Sequence, residues 1–258
     1  MRLGEVRTSR LKIERARHHV GELARSASQF LSSKPYSIRT SEEPPGDLVY
    51  RVSVAKAVPD DWGLVVGDAV HNLRAALDHL AWALVEVSGG TPSRDTCFPI
   101  AMSQTAIAQS LPRALAGARP EVLAFARRLK PYRGGNVHLD RIHSLDIVDK
   151  HRLPLIAGAA HKNIVMKLLM NVPWREDPIK IPSIALRPSD RQFPLSDGAE
   201  VFRIREAARG MSMEEPGFTF ELAFGEPGEL NGLPMIQTLE AAVHHVDRIV
   251  SIAERRLT

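Results

Sequence analysis

The run DWGLVVGDAVHNLRAALDHLAWALVEV constrains this chain more than any other stretch. Apolar residues return at alternating steps of four and three: Val66, Val70, Leu73, Leu77, Leu80, Leu84 and Val87. That is an a/d seam sustained over three heptads, and it predicts one long helix over 62–88. At roughly 100° per residue, Asp68, Asn72, Ala75, His79 and Trp82 gather opposite the seam, with Arg74 and Asp78 at their flank. A solvated face would carry Lys and Glu. Small, amide, imidazole and indole groups there point to a partner: another helix, a second subunit or a substrate.

A chain of 258 residues with 44% hydrophobic and 25% charged residues has the make-up of a globular protein with a substantial core. Aromatic residues make up only 5%, so Leu, Val, Ile and Ala must fill that core. No apolar run reaches membrane-spanning length, and Arg2, Glu5 and Arg7 at the start do not fit a signal peptide. Cys97 is the single cysteine, which excludes an internal disulfide and a Cys-rich zinc site. The expected location is therefore cytoplasmic, without a membrane partner. A net charge of +4 permits contact with nucleic acid without requiring it.

Along the chain, a first helix is expected over 9–31, then a loop over 32–47 marked by Pro44, Pro45 and Gly46, then a strand over 48–54. Gly89, Gly90 and Pro92 stop the long helix. An irregular stretch around Cys97 and Phe98 leads to helices over 120–130 and 138–157, the latter bent or ended by Pro154. Short β-like pieces follow at 164–172, 179–186, 201–204 and 218–224, and a closing amphipathic helix covers 235–256. Helices, then strands, then a helix make an α+β order. The expected plan is one domain over 1–258: a helical core at about 9–160 plus 235–256, with a small, mostly antiparallel sheet from about 164–225.

Arg74 and His79 match the pattern R-x4-H. A guanidinium holds phosphate through a fixed fork of donors and stays charged, and an imidazole exchanges protons near neutrality. Together they suit RNA cleavage by attack of the 2′-hydroxyl on its own phosphate, with no metal. Arg74 would stabilise the transition-state charge and His79 would act as general acid or base. Five residues put the two about 140° apart around the helix, so complementary groups from a second copy would have to close the site. The competing reading makes Asn72, Arg74, Asp78 and His79 a hydrogen-bond network that fixes helix register, with Arg74 and Asp78 as an i, i+4 pair.

A second cluster, Asp149-Lys150-His151-Arg152, lies on a helix that also carries His143 and Asp146. Lys150, His151 and Arg152 are candidates for a phosphate-binding corner or a second acid/base group; the alternative is helix anchoring and solvation. No HExxH or Glu-x-x-His pair occurs, so neither a metal nor a cofactor is expected. P-loop, GxGxxG and GxSxG signatures are also missing.

The stretch GDAVHNLRAALDHLAWALV resembles the active-site helix of the HEPN superfamily of small helical bundles. It is also similar to a widespread group of microbial proteins that pair such a helix with a later LD-x-x-DKHR-L segment, here Leu145 to Leu153. The resemblance implies a HEPN-like bundle, with Arg74 and His79 as the catalytic pair supported by Asn72 and Asp78. It further implies a metal-independent endoribonuclease that works as a homodimer on RNA, in a defence or toxin-type role opposed by an antitoxin. Its alternative is a non-catalytic HEPN-like binding or oligomerisation module whose polar helix face is structural.

Overall fold

The computed structural model describes residues 6–153, 156–170, 179–186, 196–205, 211–213, 217–226 and 228–256. The fold is α+β, and the chain divides into two compact units. One comprises Met1–Ala24, Asp60–Pro154 and Ile236–Thr258; the other comprises Arg25–Pro59 and Leu155–Met235. These borders differ from the expected plan, because strands also arise before residue 60.

The first unit is helical. It holds most of α1 (Arg7–Ser32), all of α2 (Trp62–Val87), α3 (Gln104–Ala114), α4 (Pro120–Arg128) and α5 (Val137–His151), and α6 (Met235–Arg256) apart from its first residue. In α2 the seam residues Val66, Val70, Leu73, Leu77, Leu80 and Leu84 are all buried. Each such Leu contributes about 1.5–3 kcal/mol by leaving water. Burial spreads past the seam to Ala69, Ala76, Ala81, Ala83 and Val85, so α2 is enclosed over much more than one stripe. It stops where Gly89 takes φ 84°. The amides of Gly89 and Gly90 then donate to the carbonyls of Glu86 and Val85, satisfying orphan acceptors of the last turn.

Helix α1 buries Ile13, Ala16 and Val20, and α6 buries Leu239, Val246 and Val250. Between the two helices Arg10 donates to Ser251 at 3.0 Å and Glu254 at 2.7 Å. The Arg10–Glu254 pair is half-exposed and adds about 1 kcal/mol or less. Helix α3 falls in the stretch expected to be irregular. Ser103 caps it by accepting from the Ala106 amide, and it buries Ile107 and Leu111, with Pro112 near enough to its end to be accommodated.

Gly67 of α2 lies against α5: a Cβ there would collide with the Asp149 carboxyl group. At the start of α5, Asn136 accepts from the Leu139 amide and donates to the Leu129 carbonyl. Its amide nitrogen also lies 3.0 Å from Nε2 of His245, whose ring packs 4.8 Å from that of His138. His18 and His244 face solvent, whereas His19 is buried and His245 is half-buried.

The second unit is built on antiparallel strands. Strands β1 (Tyr36–Glu43), β2 (Asp47–Val54) and β5 (Glu200–Ile204) form a sheet in the order β1-β2-β5. The loop expected over 32–47 thus contains a strand. Tyr36 and Ile38 supply its apolar residues, and Pro44-Pro45-Gly46 is only the turn of a hairpin running from Tyr36↔Val54 to Glu43↔Asp47. Tyr36 and Val52 are buried with Phe30, Leu31, Ile38, Val54, Val201 and Phe220 packed on them. Arg203 ties all three strands by donating to Glu43, Asp47 and Glu200.

The other sheet centres on β3 (Ile156–Met170), which has β4 (Ile179–Leu186) on one edge. The opposite edge carries β7 (Gly217–Phe224) and then β6 (Met211–Met213). β3 starts eight residues before the expected 164, and the expected end at 171–172 lies outside the described residues. The bend or stop expected at Pro154 also lies outside them; α5 itself ends at His151.

Two predictions follow from the helical unit. Gly67→Ala should lower stability by about 1–3 kcal/mol because the added methyl displaces the Asp149 carboxyl. In an Asp149→Ala background the same change should instead stabilise by about 0.5–1 kcal/mol through helix propensity, as read from urea unfolding of all four proteins. The second concerns pH. Burial, then neighbouring His138, hold His245 down to about 4, against 6.5 when unfolded. Between those values the unfolded chain binds the proton more readily, so stability is full above pH 6.5 and declines as pH falls toward 4. After discount for solvent screening of the half-open ring the loss is about 1–2 kcal/mol. Thermal melts across that range should show a shallower slope for His245→Gln than for the parent.

Candidate functional site

The polar residues of α2 divide between an inward clamp and an open cleft. Arg74, whose side chain is 15% exposed, turns inward. Its Nη2 donates to Asp78 Oδ1 at 2.8 Å and to the Phe98 carbonyl at 2.7 Å. The Phe98 amide in turn donates to the same Asp78 oxygen at 2.8 Å. One carboxylate and one guanidinium thereby satisfy both backbone groups of a buried phenylalanine and fasten its segment to the helix. Arg74 Nη1 is buried without a hydrogen-bond partner among the described residues.

Electrostatics at the clamp are those of a half-dry environment. Burial pushes the Asp78 carboxyl above its ordinary range, while Arg74 and the Phe98 amide pull the other way. His143, on α5, is held below its ordinary value by burial and then by the Arg74 charge. Burial, and after it the charge of Asp78, raises the Cys97 thiol and so keeps it protonated and weakly nucleophilic.

His79 lies on the other side of Asp78, half-buried, in a cleft of about 480 Å³. Its described lining is Thr8, Asp78, His79, Trp82, Ala83, Glu86 and Thr96. Asp78, Trp82 and Glu86 stand at i, i+4 and i+8, one per turn along a single stripe of α2. The Trp82 indole nitrogen donates to Glu86 Oε1 at 3.0 Å. This size suits a small molecule.

Arg74 is not among the described residues lining that cleft, so one chain does not bring the R-x4-H pair together there. Nor does Asn72 reach His79: its amide nitrogen donates to the Asp68 carbonyl on its own helix, at 2.8 Å. Lys150 is engaged by buried Asp146 at 2.6 Å, and His151 and Arg152 lie exposed at the end of α5. None of these three is among the cleft's described lining. Burial, then Asp146 and Asp68, raises Asp149, the residue packed against Gly67. Among the described residues no three His, Cys, Asp or Glu side chains come together as a metal-holding group, and no described helix is long and apolar enough to cross a membrane.

Glu86 was readable in the sequence as the third member of the 78-82-86 stripe. Thr8, Thr96 and the Phe98 backbone carry no sequence signal for their roles. No protein-family model, curated protein or solved structure matches this chain.

The clamp and the cleft predict opposite mutational costs. Asp78→Ala strips the acceptor from Arg74 and from the Phe98 amide, and should cost about 2–4 kcal/mol in chemical unfolding. His79→Ala, at the cleft wall, should change stability by about 1 kcal/mol or less.

Proposed function

We propose that the chain is a non-catalytic HEPN-like binding module, in which the Arg74–Asp78 pair is structural and the cleft beside His79 receives a small ligand. The observation that supports this reading is the engagement of the Arg74 guanidinium by Asp78 and the Phe98 carbonyl. A phosphate clamp has to present its donors to substrate. Moving Arg74 outward would take a donor from the half-buried Asp78 carboxylate and from the Phe98 carbonyl, at about 2–4 kcal/mol. The sign of the cleft adds support, since its described lining has two carboxylates and neither Lys nor Arg. Phosphodiesters are repelled by such a surface.

A second reading, a metal-independent endoribonuclease cleaving by 2′-hydroxyl attack, is favoured by two specific features: the unpartnered Nη1 of Arg74 and the open position of His79. It brings with it the homodimer, which would have to supply the missing half of the site, and the defence role with an antitoxin.

The experiment is incubation of the purified chain with a mixed single-stranded RNA in EDTA, alongside Arg74→Lys and His79→Ala. The binding-module reading expects no cleavage above the buffer control from any of the three. Cleavage by the parent that His79→Ala abolishes while its circular dichroism stays unchanged would overturn that reading in favour of the nuclease.

A further inference from the structure

We infer that the cleft on α2 binds an elongated organic dication, of the linear diamine class, with one ammonium at Asp78 and the other at Glu86. This rests on the binding-module reading and names the ligand for the same cleft. Both carboxylates of the cleft have acceptor capacity left over. Asp78 Oδ1 already takes Arg74 and the Phe98 amide, and Glu86 Oε1 already takes the Trp82 indole. Asp78 Oδ2 and Glu86 Oε2 accept no hydrogen bond among the described residues. Each carboxylate therefore keeps one oxygen for a donor from outside the chain. Thr8 and Thr96 add hydroxyl acceptors at the wall.

Spacing selects the shape. Eight helical residues separate the carboxylates, about 12 Å along the axis at 1.5 Å per residue. Between them the lining is His79, Trp82 and Ala83, of which the last two offer apolar surface to a methylene chain and an indole to a cation. A compact monovalent ion could not serve both ends at once. An extended alkyl chain with ammonium termini can, and a linear diamine such as 1,8-diaminooctane has that reach.

Charge selects the class. The protein carries a net +4, yet the described lining of this cleft contains two carboxylates and no Lys or Arg, with Arg74 compensating one of them, Asp78, from outside that lining at 2.8 Å. A cationic ligand is thus drawn to the cleft and away from the rest of the surface, whose net charge repels it.

The test uses the full chain and follows the Trp82 indole NH signal by heteronuclear NMR at low salt, with the dication of 1,8-diaminooctane, the neutral 1,8-octanediol and the dianion suberate as probes. The diamine is expected to shift that signal saturably. Glu86→Gln should weaken its binding by about tenfold and Glu86→Lys should abolish it. Glu22→Gln, at a charged site about 21 Å along α1 from Thr8, should leave the affinity within about twofold. If octanediol or suberate moves the signal as strongly as the diamine, the cleft binds ligands but the dication assignment fails. If diamine binding weakens equally in Glu22→Gln and Glu86→Gln, the attraction is diffuse and the assignment fails as well. Should none of the three probes move the signal, both the dication assignment and the ligand-binding role of this cleft fail together.

Discussion

Helix α2 is enclosed over so much of its circumference that each polar side chain on it must find either a partner or an opening. That constraint organises the helical unit. Buried Val, Leu and Ala fix how the helix sits, and Gly67 sets how near Asp149 of α5 can come. Within those walls an ionised Arg74 is tolerable only because Asp78 and the Phe98 carbonyl meet it. The same clamp settles the course of the chain beyond the helix, since both backbone groups of Phe98 depend on it.

The clamp also bears on the cleft. Arg74 compensates Asp78 from outside the described lining and occupies one of its carboxylate oxygens, while Asp78 itself lines the cleft beside His79 and one turn before Trp82. Burial raises Asp78 toward protonation and Arg74 opposes it. The carboxyl group is therefore balanced between structural and ligand-facing demands, and a ligand cation would act on the same side of that balance as Arg74.

Polar groups elsewhere in the chain divide in a similar way. His245 stays neutral because its ring is half-dry and neighbours His138, with the Asn136 amide against Nε2. On the β1-β2-β5 sheet, by contrast, Arg203 joins three acidic residues in an exposed network, where water screens each pair and geometry matters more than energy.

Periodicity alone determined the long helix, its seam, the closing helix at 235–256 and the α+β order, because a step of 3.5 residues specifies one face wherever the helix lies. Strand β1 and helix α3 escaped it. Pro44 and Pro45 signalled a turn more loudly than Tyr36 and Ile38 signalled a strand, and Pro112 masked the α3 pattern. The site was half legible. The sequence gives the directions of Arg74, Asp78, His79 and Trp82 around a helix, but a direction does not say what stands opposite. The group that captures Arg74 is a backbone carbonyl 24 residues away, and every residue type has one. Only the tertiary structure could decide that Arg74 turns inward and His79 opens outward, because that choice depends on which orphan acceptor the folded chain brings within reach.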